Sequence, residues 1–310
     1  MARYAQNPGQ LTTARGKKDI AILAAAHCIQ TKPPEGNDLA FMHSVLCQVG
    51  LPRSRVDGHE FTRRQGAAWI NVQAGYLDEG DGQVLQPVPY GPMPRIALAW
   101  VSTYAKRHNT PEVPIGDSAS AFLRELGKTT SGGARGGYST LRMQMHALAA
   151  CRLQFGYKGR TFNGQPIQQF DAWIASKDSG QKSLWPGLLV LSGQYFSELQ
   201  AYGVPLDTRA LQALKGSALA LDVYTWLAHR LHRLDAGGQW LSWNQLFGQF
   251  GQEFTGLRPL NDFQKKFKSA LRDALAVYPA ARVKLDALGL LMLPSRPPVG
   301  KSVEGGSYAR

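Results

Sequence analysis

The chain has 310 residues, 44% of them hydrophobic, and its 35 Lys and Arg outnumber its 22 Asp and Glu, giving a formal charge of +13. This length allows two or three small domains, and the charge favours a polyanionic partner through counterion release, although many basic proteins bind no DNA. No apolar run is long enough to span a bilayer, so we expect a soluble cytoplasmic protein with no membrane partner. Cys28, Cys47 and Cys151 lack metal or redox spacing, so we expect reduced thiols and no zinc site.

The first 86 residues predict a polar terminus, a helix and a hairpin. Residues 1–18 are basic and lack apolar periodicity, which predicts a flexible N-terminus, with a DNA-binding arm as the alternative. Residues 19–86 predict a helical segment and a β-hairpin extension, because alternating residues at 69–74 precede the turn Asp78-Glu-Gly-Asp-Gly82.

Residues 87–192 predict a first domain in which three helices are combined with short strands. Pro94 lies at the start of the first helix, residues 112–115 predict a strand, and Asp117 or Ser118 caps the second helix. The later elements are a third helix at residues 139–150, a strand that turns at Lys158, Gly159 and Arg160, and a buried strand at residues 184–191.

Residues 193–294 predict a second domain with the same order of elements. Its first elements are a connecting helix at 194–202, an amphipathic helix at 217–234, a strand at 239–243 and a brief helix capped by Ser242 or Asn244. A third helix starts at Pro259 and stops before Pro279, and residues 281–285 and 288–293 then predict a hairpin around Asp286 and Ala287. The two domains share negligible sequence identity, so the repeat rests on element order.

The third helix of the second domain has two different faces. Its apolar residues, from Phe263 to Tyr278, recur at three- and four-residue steps and predict an inner stripe. Asp262 and Asp273 fall on the flanks. The outer face presents cations and short polar groups that can reach phosphates and base edges in a major groove, namely Asn261, Lys265, Lys268, Ser269 and Arg272. A merely solvated basic face is the alternative.

Together these elements predict a helix-rich α+β fold with two tandem winged-helix domains and small β-hairpin wings. In such a fold the third helix enters the major groove and the hairpin lies along the neighbouring backbone. Residues 295–310 are rich in Pro, Gly and Ser, which predicts a flexible tail.

Several short motifs of this chain occur together in one family of proteins. The first is Val88-Pro-Tyr-Gly-Pro-Met-Pro-Arg-Ile-Ala-Leu-Ala-Trp100. The others are Phe41-Met-His-Ser-Val-Leu-Cys47, Gly50-Leu-Pro-Arg53, Ile115-Gly-Asp-Ser118, Phe122-Leu-Arg-Glu-Leu-Gly127, Ser131-Gly-Gly-Ala-Arg-Gly-Gly137 and Leu141-Arg-Met-Gln-Met145. Through this combination the chain resembles the plasmid-encoded RepA replication initiators over roughly residues 38–293.

The resemblance implies a bacterial initiator that binds repeated sites in plasmid origin DNA, helps to melt adjacent A·T-rich DNA and represses its own promoter. It implies the host initiator protein, the replicative helicase and its loader as partners, together with a dimer that becomes a monomer on DNA. It also implies that the second winged helix reads bases, chiefly through Asn261, Lys265, Lys268 and Arg272. The first would serve dimerisation and backbone contact through Arg135, Ser139, Arg142, Lys158 and Arg160.

Other chemical sites are weak in this sequence. The Gly-rich turn at 132–137 lacks the lysine of a nucleotide-binding loop, so Arg135 there is either a phosphate contact or part of a plain connection. His229 and His232 share a helix without a third ligand nearby. We therefore expect no enzyme, no catalytic residues, no cofactor and no metal. A winged-helix transcriptional repressor without initiation activity is the principal alternative, and a nicking relaxase or primase is the third.

Overall fold

The computed structural model describes residues 16–80, 82–116, 122, 126, 136–171 and 187–300. The predicted basic arm before residue 16, the cap at Asp117 or Ser118, and Arg135 lie outside these residues. Within them the fold is a mixture of α-helices and small antiparallel sheets, as expected for an α+β protein.

The chain divides into two compact units. Among the described residues, the central unit lies within residues 41–203, and the terminal unit combines residues 16–40 with residues 204–300. These limits differ from the predicted domains because helix α1 (Lys17–Thr31) packs against two helices of the C-terminal half, α6 (Thr208–Leu214) and α9 (Pro259–Ala276). Lys17 and Lys18, which were predicted to lie in a flexible terminus, belong to α1. Strands β1 (Leu39–His43) and β11 (Gly203–Asp207) run across the limits of the units.

The central unit is built on helices α3 (Pro92–His108) and α4 (Gly137–Ala150). Pro92 at the start of α3 suits a first-turn position, and α3 ends at Asn109 in the left-handed conformation. The helices are α2 (Ser44–Val49), α3 (Pro92–His108), α4 (Gly137–Ala150) and α5 (Gly193–Tyr202). The strands are β2 (Glu60–Gln65), β3 (Ala68–Gln73), β4 (Tyr76–Asp78), β5 (Gln83–Leu85), β6 (Glu112–Pro114), β7 (Arg152–Tyr157), β8 (Arg160–Gly164), β9 (Ile167–Phe170) and β10 (Leu188–Leu191).

Three antiparallel groups of strands belong to the central unit. They are the four-stranded sheet β2-β3-β7-β8, the three-stranded sheet β6-β10-β9 and the hairpin β4-β5. The predicted turn between β7 and β8 is confirmed: Lys158 and Gly159 have φ values of 49° and 84°, as a two-residue hairpin turn requires.

The terminal unit has the element order that the sequence predicted for the second domain. Its helices after α6 are α7 (Ala218–Arg230), α8 (Trp243–Phe250) and α9, and its later strands are β12 (Gln239–Ser242), β13 (Arg282–Leu285) and β14 (Gly289–Leu293). These strands form the antiparallel sheet β12-β14-β13. Gly289 permits the close approach of β14 to β12, because a Cβ atom there would collide with the Leu241 carbonyl oxygen.

An aromatic cluster holds α8 and α9 together. Phe267 is fully buried, and its ring centroid lies 5.3 Å from Phe263, 5.4 Å from Phe250 and 6.0 Å from Trp243. Tilted and edge-to-face aromatic pairs of this kind add to the free energy gained from burial. The predicted inner face of the third helix is therefore confirmed.

The two predicted copies differ in strand pairing. In the terminal unit, β12 pairs with β14 of the C-terminal hairpin. In the central unit, the corresponding strand β6 pairs with β10, whereas the hairpin β7-β8 extends the sheet of β2 and β3. The two units therefore share the order of their elements but not the pairing of their strands.

The start of the predicted flexible tail is packed onto the terminal unit. The Ser295 amide donates to the Leu231 carbonyl oxygen, and the Tyr278 hydroxyl donates to the Arg296 carbonyl oxygen at 2.8 Å. Val299 is buried. Residues 295–300 thus contribute to the fold despite their Pro-rich composition, and the rest of the tail lies outside the described residues.

Candidate nucleic-acid interface

Helix α9 presents an open polar face opposite its aromatic one. Asn261, Lys265, Lys268 and Ser269 are all exposed, whereas Phe263 and Phe267 are buried. At 3.6 residues per turn, Asn261, Lys265 and Lys268 align along one side of the helix. Two ammonium groups and an amide on one helical face can reach phosphate oxygens or base edges of a duplex.

Lys268 is oriented by its contact with Trp243. Its Nζ lies 5.3 Å from the Trp243 ring centroid, within the range of a cation–π interaction. The Trp243 indole Nε1 donates to the Ala287 carbonyl oxygen at 3.1 Å. One side chain thus connects the start of α8, the outer face of α9 and the turn between β13 and β14.

Arg272, the fifth predicted reader on α9, has carboxylate partners. Its Nη2 lies 2.7 Å from Asp273 Oδ1 and 3.6 Å from Asp19 Oδ1 of α1. Lys18 Nζ lies 2.6 Å from the other oxygen of Asp273, which is fully buried. The Arg272 side chain is 32% exposed. The neighbouring carboxylates offset much of the charge that Arg272 could offer to a phosphate.

The β13–β14 hairpin adds two cations that are not among the site residues predicted from the sequence. Arg282 and Lys284 are exposed, whereas Val283 between them is buried. The turn is fixed by Asp286, whose Oδ1 accepts from the amides of Leu288 at 2.7 Å and Gly289 at 3.0 Å. The alternation Arg-Val-Lys-Leu at 282–285 was the available signal, since alternate residues of a strand share a face.

The corresponding helix of the central unit, α4, is mostly covered. Hairpin β4-β5 packs against it, and Glu79 beside this hairpin accepts from Arg142 Nη2 at 3.5 Å and lies 3.3 Å from His146 Nδ1. Met143 is the exposed residue of α4, whereas Ser139 and Arg142 are half-buried. The predicted backbone contacts Ser139 and Arg142 therefore present little open surface.

Glu79 is surrounded by partners from the same unit, namely Gln86, His146 and Arg142. Burial alone would raise the pKa of Glu79, but hydrogen bonds from Gln86 and His146 and the charge of Arg142 lower it. Burial lowers the pKa of His146, although Glu79 opposes that change. A carboxylate that neutralises Arg142 within the unit leaves less positive charge for a phosphate.

The two predicted cations of the β7–β8 turn, Lys158 and Arg160, differ in their contacts within the chain. Arg160 Nη2 lies 2.6 Å from Glu198 Oε1 of α5, and Arg160 Nη1 donates to the Tyr202 hydroxyl at 2.7 Å. Lys158 is exposed, with Nζ 5.5 Å from the Tyr157 ring centroid. Of these two, Lys158 is the more available to a polyanion.

Two of the motifs that carry the resemblance meet in the core of the central unit. Arg95 is buried and donates to the carbonyl oxygens of Leu51, Pro52 and Gly91. Buried Arg63 also donates to the Leu51 carbonyl oxygen, at 3.1 Å. These residues fix the loop at 50–53 against the start of α3, so their role there is structural.

No metal site is formed by the described residues: among them no three His, Cys, Asp or Glu side chains cluster as ligands. His229 accepts from Arg233, and burial together with the neighbouring cations lowers the pKa of His229 to about 3. Within the described ranges, none of the helices has the length and apolar character needed to cross a membrane.

Residues 88–245 match the model of the family described as plasmid-encoded RepA protein, and this segment covers just over half of the chain. The chain therefore belongs to the plasmid-encoded RepA family, which supports a role in plasmid replication. The match ends within α8, before α9 and the β13–β14 hairpin. No curated protein and no solved structure matches the chain.

Proposed function

We propose that this protein initiates plasmid replication by binding repeated duplex sites in the plasmid origin. In this proposal α7, α8, α9 and the β12-β14-β13 sheet act as a winged helix, with α9 in the major groove and the hairpin along the adjacent backbone. Family membership supports the replication role, and the geometry of the terminal unit supports the DNA contact.

The observation that carries the proposal is the exposed face of α9 above a closely packed aromatic core. Asn261, Lys265 and Lys268 project from a helix whose position is fixed by Phe263 and Phe267. A rigid helix loses little conformational entropy when it binds, so its side chains can discriminate between base sequences. Arg282 and Lys284 would add phosphate contacts from the hairpin.

We further propose that the central unit serves dimerisation and conformational control. Its helix α4 has few exposed side chains, and its predicted cations Arg142 and Arg160 have carboxylate partners. A dimer would repress the protein's own promoter, and a monomer on the origin would open A·T-rich DNA. The host initiator, the helicase and its loader would then act on the opened strands.

A DNA-binding repressor without initiation activity is the second candidate. The same α9 face and hairpin would serve it equally well, since both functions begin with sequence-specific duplex binding. Family membership favours the initiator. Opening of the duplex separates the two functions.

The proposal is tested by measuring binding of the full chain to its own repeat-containing origin and to scrambled duplex across a salt series. Permanganate probing of the same complexes detects unpaired thymines. We expect repeat-specific binding with opening near the repeats. Specific binding that never produces opening, even with the host initiator added, would favour the repressor. Equal affinity for both duplexes would contradict sequence reading.

A further inference from the structure

The outer face of the β12-β14-β13 sheet carries an exposed tryptophan beside two cations. Trp240 on β12 is 42% exposed. In the cross-strand register it lies opposite Leu291 of β14, which in turn lies opposite Lys284 of β13. Arg282 shares this face because it is two residues from Lys284.

The burial pattern separates this face from the core. Leu241, Leu290 and Val283 are buried and line the inner face, as alternation along the strands requires. The outer face, in contrast, carries no carboxylate within the three strands. Its residues are Trp240, Ser242, Arg282, Lys284, Gly289, Leu291 and Leu293.

Trp240 differs from the other tryptophans that the structure describes. Trp226 and Trp243 are buried against Phe250 and Phe267, and Trp100 packs edge-on against Phe122. Trp69 lies over Gly156, whose absent Cβ makes room for the indole ring. Among the described residues Trp240 has no aromatic partner. Its ring is thus available to something outside the chain.

We propose that this outer sheet face binds single-stranded DNA. An exposed indole can stack on a base whatever its sequence, and flanking cations attract the phosphates of the same strand. Two cations without a carboxylate complement a polyanion better than an acidic or apolar protein surface. The inference rests on the proposed function, since an opened origin would supply the strand.

The test uses the full chain and a fluorescently labelled oligo(dT), with duplex origin DNA measured in parallel by anisotropy. We expect Trp240→Ala to weaken oligo(dT) binding about tenfold while leaving duplex affinity unchanged. Trp240→Phe should retain most of the single-strand affinity because phenylalanine also stacks. Tyr76→Ala, which removes an exposed aromatic side chain from the central unit, is the matched control and should have no effect.

A second variant keeps the test decisive if Trp240→Ala folds poorly. Lys284→Gln preserves the strand and should reduce both oligo(dT) affinity and its salt dependence. Unchanged oligo(dT) binding by either folded variant would overturn the proposal. Loss of self-association in Trp240→Ala, with oligo(dT) binding intact, would instead assign the face to a second copy. Lys284→Gln should also weaken duplex binding, because Lys284 is a proposed phosphate contact there, whereas loss of oligo(dT) binding by Trp240→Ala at unchanged duplex affinity separates this proposal from duplex recognition by α9.

Discussion

Helices α4 and α9 occupy the same place in the order of elements of their units, yet their solvent exposure differs. On α9 the side chains of Asn261, Lys265, Lys268 and Ser269 are exposed, whereas on α4 the exposed residue is Met143. The difference shows that an outward-facing position in a helical pattern does not establish an available surface. Accessibility depends on what other parts of the chain pack against the helix.

The segments that contact the two helices explain the difference. Hairpin β4-β5 lies against α4, and Glu79 beside it neutralises Arg142. On α9, helix α1 contacts the C-terminal part and supplies Asp19 to Arg272. Lys265 and Lys268, which lie nearer the start of α9, are exposed residues.

The largest expected effect is on stability and concerns the aromatic cluster that holds α8 and α9 together. Phe267→Ala should lower the free energy of unfolding by about 3 to 5 kcal/mol, because it leaves a cavity among Phe250, Phe263 and Trp243. Urea denaturation followed by circular dichroism measures this change. Leu257→Ala, at a fully exposed position, should change it little. Equal stability of the two variants would contradict a rigid recognition helix.

The central unit should be sensitive to acid because of a buried imidazole. His43 accepts from the Val45 amide through Nδ1, and burial lowers its pKa from 6.5 to about 4. Below pH 6.5 the unfolded chain takes up this proton first, so stability is retained above 6.5 and falls by up to about 3 kcal/mol as pH decreases to 4. Denaturation at several pH values measures the slope.

A matched pair of variants isolates the contribution of His43. His43→Asn keeps an N-cap acceptor without an ionisable ring, so it should flatten the dependence on pH. His59→Asn replaces an exposed imidazole and should leave the slope as it is. The same slope in both variants would assign the acid sensitivity to other groups.

The next effect compares the DNA contacts of the two helices directly. Lys265→Ala should weaken origin binding by about 1 to 3 kcal/mol and relax base preference if the side chain reads a base. Arg142→Ala removes a cation already paired with Glu79, so it should cost less than about 1 kcal/mol. Competition between repeat and scrambled duplexes gives both quantities. An equal loss on every sequence would reassign Lys265 to a phosphate.

The smallest expected effect concerns Arg272. Asp19→Asn should strengthen duplex binding by less than about 1 kcal/mol, because it removes one of the carboxylates beside Arg272. This gain should vanish in the Arg272→Ala background. Asp262→Asn removes a carboxylate from α9, the helix that carries Arg272, and its effect on duplex binding should persist in the Arg272→Ala background. Additive behaviour of Asp19→Asn and Arg272→Ala would show that the pair does not limit binding.

Local patterns predicted much of the terminal unit. The limits of α9 and of the β13–β14 hairpin follow from Pro259, apolar periodicity and the turn at Asp286, all of which act over a few residues. The two-residue turn at Lys158 was predictable for the same reason.

Partners that are distant in sequence could not be predicted in this way. The pairing of Arg272 with Asp19, of Arg142 with Glu79 and of Arg160 with Glu198 depends on how separate elements pack. Periodicity indicates which side of a helix faces outward, but it gives no information about a second element on that side. Arg282 and Lys284 lie on a strand that the sequence predicts, but alternation along a strand identifies its exposed face without assigning that face a function.

The most direct test of the account compares the salt dependence of origin binding for two double variants. Lys265→Ala/Lys268→Ala removes two exposed cations from α9, and Arg142→Ala/Lys158→Ala removes one half-buried and one exposed cation from the central unit. We expect Lys265→Ala/Lys268→Ala to lower origin affinity and to reduce the magnitude of the slope of log K against log salt by about 1 to 2. Arg142→Ala/Lys158→Ala should change both quantities little. The reverse result would place the duplex contact on the central unit and contradict the account.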